Sequence, residues 1–453
     1  MRPLTSLSQS AAEELTIRTN KMKGSVAWVA LAALGSLVAV APASAQLANA
    51  SASTLGLSGN NTATVRGFGT ISVNPAGLAM PGSGFSLALI PIQIRSGINP
   101  IGLKDLKDVE GSLVPTAVKQ DWLDRVTADG GQSGTFGVDI SEIAFTSGNI
   151  GFQISTVVAG AVDLSPGIVE AVLFGNAGRT GSPANLALSP ASVEGFGITT
   201  AGLSIGIPIS SPASDIAIGA TLKYSVGHGL AVGRSSSGSV SADPVAVDLN
   251  FPVVHSTAFS IDNFGVGDIL DGGTGIGVDV GFMVKKDNLS FGASVQNVVN
   301  TFEWDESKLS YRAGTASFET GSSDSDFDER AYASAPADLR QAVTDMQFKP
   351  AIRAGIGLDV SGDFTVTGDL HARFSDDGIA LGPKFHLGGG AEFRGLKVIH
   401  LRGGAAVITD GIQYGGGASL VLGPLNFSAA AAVQSGDIGD NVLAQFALSF
   451  GNR

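Results

Sequence analysis

Phe364 to Phe374 reads FTVTGDLHARF, and its two faces separate completely. Phe364, Val366, Gly368, Leu370, Ala372 and Phe374 fall on one side; Thr365, Thr367, Asp369, His371 and Arg373 fall on the other. Alternation of period two marks a β-strand, because successive side chains point to opposite faces. Ten steps of about 3.3 Å, tilted about 40°, set the two phenylalanines about 25 Å apart along a barrel axis. That is the height of an apolar band facing lipid, with aromatic residues at both rims and polar residues within.

The same grammar recurs along the chain. Strand-like runs cover 85–95, 136–146, 150–158, 193–209, 215–226, 245–261, 276–285 and 289–298, then 351–360, 364–374, 381–394, 398–408, 412–422, 425–433 and 442–450. Some of these are loops or fused pairs, so about 14 strands are expected, an even count as in bacterial barrels. Short turns such as Ser361-Gly362-Asp363 separate neighbours, as in an up-and-down sheet. Two interruptions read as helices: 115–126, with Val118, Trp122 and Val126 on one stripe, and a second that starts at Ser165-Pro166 and ends at Gly175. Both stripes are expected to pack onto a rim; lining a vestibule is the alternative. The polar stretch 301–345 reads as a large external loop.

Composition and the N-terminus fix the setting. Lys21 and Lys23 precede an apolar run from Val26 to Ala41, and Ala43-Ser44-Ala45 offers a cleavage site before Gln46. This is the layout of a secretory signal, and the run is short for a spanning helix. A retained anchor is the competing reading, and Met22 is a plausible start. The expected organisation is a cleaved leader and signal at 1–45, a small, Gly-rich segment at 46–83, and a barrel over 84–453. The net charge is −13; removing Arg2, Arg18, Lys21 and Lys23 with Glu13 and Glu14 takes away +2 and leaves −15. Such acidity argues against nucleic-acid binding. With no cysteine, neither disulfides nor thiolate chemistry arises. Glycine, at 62 of 453 residues, is about twice its usual share, yet a mean hydropathy of +0.27 excludes a solvated, disordered chain. An exported, apolar chain without a long apolar helix crosses a bilayer as a closed barrel, in which every backbone group is paired.

Asn74-Pro75-Ala76-Gly77-Leu78, ahead of the first strong strand, resembles the FadL-like superfamily of outer-membrane barrels, which includes fatty-acid transporters and PorV-type secretion proteins. VKQDWLDRV, AVLFGNAGRTG and IGATLKYSVGHGLAVG, in that order, resemble more closely an uncharacterised bacterial outer-membrane family related to it. The resemblance implies a 14-stranded barrel in the outer membrane, with 46–83 as a hatch inside it. It further implies that hydrophobic compounds leave through a discontinuity in the wall.

Candidate chemistry concentrates on one face of the C-terminal strands. Arg353 and Asp359, then Asp369, His371 and Arg373, then Lys384, His386, Glu392 and Arg394, then His400 and Arg402 alternate inward if the barrel closes. A basic interior suits the carboxylate or phosphate head of an amphiphile. Pairing across strands, which only holds the lumen together, is the plainer reading.

Other motifs carry less. Gly202-Leu203-Ser204-Ile205-Gly206 fits G-x-S-x-G, but lies in alternating β sequence, where a nucleophile elbow does not form. Asp324, Asp326 and Asp328 imitate the start of a calcium loop, but Glu329 and Ala335 stand at its sixth and twelfth positions. The histidines at 228, 255, 371, 386 and 400 show no metal-ligand spacing.

The expectation is therefore an all-β, transmembrane antiparallel barrel with a hatch and short helices in loops. It would mediate passive uptake of small hydrophobic or amphipathic molecules, without enzymatic activity, cofactor or metal. Its partners would be outer-membrane lipid and, during biogenesis, the barrel-assembly machinery. Two alternatives stand beside it: an anchor that binds a protein partner through 301–345 and transports nothing, and a soluble secreted β-solenoid or adhesin.

Overall fold

Alternating burial runs through the sheet: Thr365, Thr367 and Asp369 are buried, while Val366 and Leu370 between and beyond them are exposed. The computed structural model describes residues 47–451, apart from 176–177, 183, 243–244, 257–271, 320–321, 376–381, 410 and 437–438. The leader and signal reading of 1–45 lies outside these. The barrel strands are β1 (Ser86–Asn99), β2 (Gln132–Ser147), β3 (Ile150–Leu164), β4 (Ala191–Ile209), β5 (Asp215–Ser235), β6 (Gly273–Lys286) and β7 (Leu289–Asn300). They continue as β8 (Ala351–Ser361), β9 (Phe364–Arg373), β10 (Phe385–Phe393), β11 (Ile399–Ile408), β12 (Gly411–Leu422), β13 (Leu425–Gly436) and β14 (Gly439–Gly451). Each pairs antiparallel with the next, and β14 returns to β1, with Ser86 opposite Gly451, so the 14-stranded sheet has no free edge.

The outer wall is apolar. Leu203, Ile205, Ile207 and Ile209 on β4 and Ile218 and Leu222 on β5 lie outward and exposed, as do Phe427 and Phe446 on β13 and β14. Burying each such side chain is worth about 1.5–3 kcal/mol, and in a barrel of this kind the acyl chains supply that burial.

Of the strand-like run 245–261, residues 257–261 lie outside the described residues, and 245–256 form strands outside the wall, one of the runs that the count of 14 left over. Val245–Asn250 joins a separate five-stranded sheet, and Val253–Ser256 pairs with β5 and with Leu309–Arg312. Strands as long as β5 outrun the lipid band, and their extensions recruit loop residues.

The stretch 301–345 departs from a solvated loop. Trp304, Leu309, Tyr311, Tyr332, Leu339 and Val343 are buried with Phe348 against the inner faces of β4 and β5, at Phe196, Ile198, Leu230 and Val232. Acidic residues dominate its composition, while its apolar residues, spaced irregularly, converge only in three dimensions. The expected helices form at Thr116–Asp129 (α1) and Pro166–Phe174 (α2), and they pack on each other through Trp122, Leu123, Val126 and Val169. All these segments belong to the end with long loops; the other end has tight turns.

Candidate functional site: the barrel interior

Residues 47–83 supply little periodicity, and they fold as short helical turns along the inner wall. Gln153 donates to Ala48 O (2.6 Å) from β3, and Gln445 donates to Asn49 O (2.6 Å) from β14. Asn60 Nδ2 donates to Gly389 O (3.1 Å) on β10, and the Thr62 amide to Asp369 Oδ2 (2.8 Å) on β9. The Phe68 amide donates to Ser86 Oγ (2.9 Å) on β1, while Gln296 and Ser294 on β7 donate to Ser72 O and Val73 O. The segment thus touches the wall around most of its circumference.

Inward glycines make the room. A Cβ at Gly219 would lie 2.3 Å from the Pro75 carbonyl carbon and 2.4 Å from the Ala76 amide nitrogen; at Gly404 it would lie 2.4 Å from Leu57 O. Both obstacles are backbone and cannot rotate away. Much of the glycine excess is thereby accounted for: an interior this narrow admits a second layer of backbone only where side chains are missing.

The NPAGL motif has a definite mechanical role. Asn74 is fully buried; its Oδ1 accepts from the Ala76 amide (3.2 Å), and its Nδ2 donates to Thr62 O (3.2 Å) and Phe282 O (3.1 Å). It caps the 3₁₀ turn Pro75–Ala79, with Pro75 at the first position, where no amide is needed. Gly77 sits where a Cβ would lie 2.6 Å from Thr70 Cγ2, and Leu78 is buried towards Gly151 and Gly206 of the wall.

The eight candidate ligand residues all lie on inward positions, but in two groups. Arg353, His371 and His386 stand opposite one another across β8, β9 and β10. The two imidazoles stack at 4.3 Å between ring centroids; His371 Nε2 lies 3.2 Å from Asp369 Oδ2 and His386 Nε2 3.0 Å from Asn60 Oδ1. Arg373, the last residue of β9, donates its amide to the carbonyl of Lys384 (2.8 Å), just before β10 begins. Arg394, His400 and Arg402 lie six to eight residues further along, roughly 20 Å away, at the tight-turn end. Asn60 and Leu57 come between. The first group therefore reaches the N-terminal segment through His386, and the second lines open space.

That space is a cavity of ≈ 620 Å³ lined by Arg66, Phe68, Lys285, Asp359, Glu392, Arg394, His400 and Arg402, among others. Arg402 donates to Glu392 Oε1 (2.8 Å) and Ser419 Oγ (2.5 Å), and Arg394 to Thr365 Oγ1 (2.9 Å). Lys285 pairs with Asp359 at 2.7 Å. Asn60, Thr62 and Arg66 escaped the sequence reading, because the stretch 46–83 is small, polar and Gly-rich and its lack of periodicity singles out no position.

Two other motifs settle into the architecture. Ser204 of the G-x-S-x-G match lies mid-strand, buried, 2.7 Å from Thr221 Oγ1. Asp324 and Asp326 lie on the strand Ser322–Asp326, and Asp326 pairs with Arg330.

The wall has several register shifts, at Val278/Val280, Gly197/Ile198 and Asp359/Ser361 among others, and one of them borders an apolar hollow. Ile90 adopts φ 52°, rare for a β-branched residue, and ladder pairing skips from Leu89 to Ile92 across Pro91, which has no amide hydrogen. A bulge at Glu142 faces it on β2, and outside lies an apolar hollow of ≈ 700 Å³ bordered by Leu89, Ile90, Phe427 and Phe446.

Fold and interior together define an outer-membrane-type β-barrel with its own N-terminal segment inside. The chain belongs to DUF5723, a family of unknown function whose model matches residues 83–432. No curated protein matches it. Similar solved structures include the P. putida toluene transporter TodX (11% identity, TM-score 0.45, covering 89% of this chain and 98% of that one). The CymD monoaromatic hydrocarbon channel (11%, 0.47, 88% and 97%) and a Pseudomonas aeruginosa FadL homologue (10%, 0.44, 90% and 98%) are others.

Proposed function

We propose that this protein is an outer-membrane conduit for passive uptake of small hydrophobic or amphipathic molecules, with residues 47–83 as its hatch. One observation carries the reading: the lumen is occupied by a separate segment held by hydrogen bonds and small apolar contacts over a glycine-smoothed surface. Each such hydrogen bond contributes about 0.5–1.5 kcal/mol net, so the segment can shift while the ladder of the wall stays intact. Tight turns face the periplasm and long loops the outside in barrels of this kind. Cargo would enter among the long loops, pass the Asn60–His386 and Thr62–Asp369 contacts, and leave by the irregular wall at Ile90-Pro91 or through the tight-turn cavity. The default reading for a barrel of this architecture is non-enzymatic.

The test is entry of the fluorescent hydrophobe N-phenylnaphthylamine into liposomes carrying the full chain or a chain lacking 47–83. Altered uptake in the deletant, with the heat-modifiable gel mobility of a folded barrel retained, is expected. Identical uptake by both and by empty liposomes defeats the proposal.

The anchoring alternative keeps one observation in its favour: the five-stranded sheet at the long-loop end has an exposed outer strand, Ser322–Asp326. Stoichiometric recovery of one protein with the detergent-purified barrel would favour it.

A further inference from the structure

We infer that the tight-turn cavity binds a dianionic phosphate head, a phosphate monoester in particular, and so selects among the amphiphiles that the conduit passes. The inference rests on the uptake reading and adds a substrate class to it.

Charge accounting within the cavity carries it. Four cations line the space, Arg66, Lys285, Arg394 and Arg402, against two carboxylates, Asp359 and Glu392. Lys285 and Asp359 neutralise each other at 2.7 Å. Glu392 is shared by two guanidiniums, Arg402 at 2.8 Å and Arg394 at 3.7 Å, which leaves one positive charge. Arg66 donates to the carbonyls of Val65 (2.7 Å) and Pro81 (3.0 Å), neutral acceptors, and Asp359 and Asp215 act on its charge without forming an ion pair with it. Two positive charges therefore face one cavity in a chain whose net charge is −13. A carboxylate head compensates one of them, and a phosphate monoester, close to doubly charged near pH 7, compensates both. Guanidiniums also match its oxygens with paired donors.

The lining is asymmetric as well. The cations come from the N-terminal segment, β6, β11 and the end of β10. The side formed by β12, β13, β14 and the start of β1 contributes Val421, Pro424, Asn426, Ser449 and Phe450, with no ionisable group. A charged head and a short apolar tail can lie side by side in ≈ 620 Å³, within the usual range for small-ligand sites.

Binding to the full chain in neutral detergent is measured with dodecyl phosphate, dodecanoate, dodecanol and inorganic phosphate. Dodecyl phosphate should bind about tenfold more tightly than dodecanoate, and dodecanol weakest. Arg66→Gln and Arg394→Gln should each reduce that preference towards parity, and Arg66→Lys should largely restore it. Inorganic phosphate competing at equal affinity assigns the site to the free anion, and competing weakly assigns it to the amphiphile; both support the inference. Equal affinity for dodecyl phosphate and dodecanoate overturns it, as does a preference unchanged in both Gln variants while gel mobility shows folded barrels. Uptake of N-phenylnaphthylamine is scored separately: if it depends on the hatch while no phosphate preference exists, the inference fails and the conduit stands.

Discussion

The two ends of the lumen are built on opposite principles. At the long-loop end, Phe196, Trp304, Tyr311, Leu339 and Phe348 close the mouth on the β4–β5 side as a soluble protein closes its core. At the tight-turn end, arginines, carboxylates and hydroxyls surround open space. Between them runs a segment held to the wall by hydrogen bonds and by smaller apolar side chains, Leu55 against Ala430 and Leu443, and Val65, Val73, Ala76 and Met80 against Ala217 and Met283. Apolar packing resists local opening because each side chain withdrawn exposes its whole area. A shared hydrogen bond can be exchanged for one to water at little net cost. The mouth should therefore be the rigid end, and the segment beneath it the movable part.

The largest effect should come from the mouth. Trp304 donates from Nε1 to Met346 O (2.8 Å) and meets Phe302 edge-on at 5.2 Å between centroids. Trp304→Ala should destabilise the long-loop cap by about 3–5 kcal/mol. Proteolysis should then nick 301–350 while gel mobility still reports a closed barrel. If the whole barrel loosens instead, the two ends are not independent.

Next comes the wall against the hatch. Gly219→Val should force Pro75 and Ala76 away, at about 1–3 kcal/mol for overpacking against backbone. Ion conductance across a planar bilayer should rise, whereas Gly362→Ala, with open space around its Cβ position, should change nothing. Equal conductance in both variants would refute a close-fitting segment. Asn74→Ala should act in the same sense, by roughly 1–3 kcal/mol, because the Thr62 and Phe282 carbonyls lose their buried donor. Hydrogen exchange at Ala76 and Gly77 should quicken.

The smallest effect concerns the loop helices. Arg125 holds Asp105 through paired bonds at 2.9 and 3.2 Å, and this keeps the carboxyl below its ordinary value of 3.8. A depressed folded pKa means a contribution present above pH 3.8 and lost as pH falls below it. The pair is well exposed, so Asp105→Asn should cost well under 1 kcal/mol near neutrality. Proteolytic sensitivity of 100–130 should converge between variant and parent below pH 3.

Legibility followed the range of the forces. FTVTGDLHARF announces its strand because alternation is a local property of a pleated backbone, and β9 spans 364–373 as it suggests. The helix at Ser165-Pro166 was equally plain, since caps and first-turn prolines act within one turn. That 245–256 would be the strand-like run outside the wall was not legible, because its alternation is real and its partners include both the nearby 231–242 and the distant strands around Leu309 and Thr315. Among the candidate ligand residues the inward face was legible and the grouping was not. His386 and Arg402 occupy the same side of neighbouring strands, and nothing local says that Asn60 would stand beside one and empty space beside the other.

By itself the sequence determined a strand-built wall of lipid height, with a polar interior and an apolar outer face, because periodicity and composition are summed residue by residue. Only the tertiary structure decided that Gly219 and Gly404 are clearances for a second chain segment, that Trp304 belongs to a core, and that Arg66 joins Arg394 around one cavity. Those facts depend on which distant surfaces meet when the sheet closes, and closure is a property of the whole ring of strands.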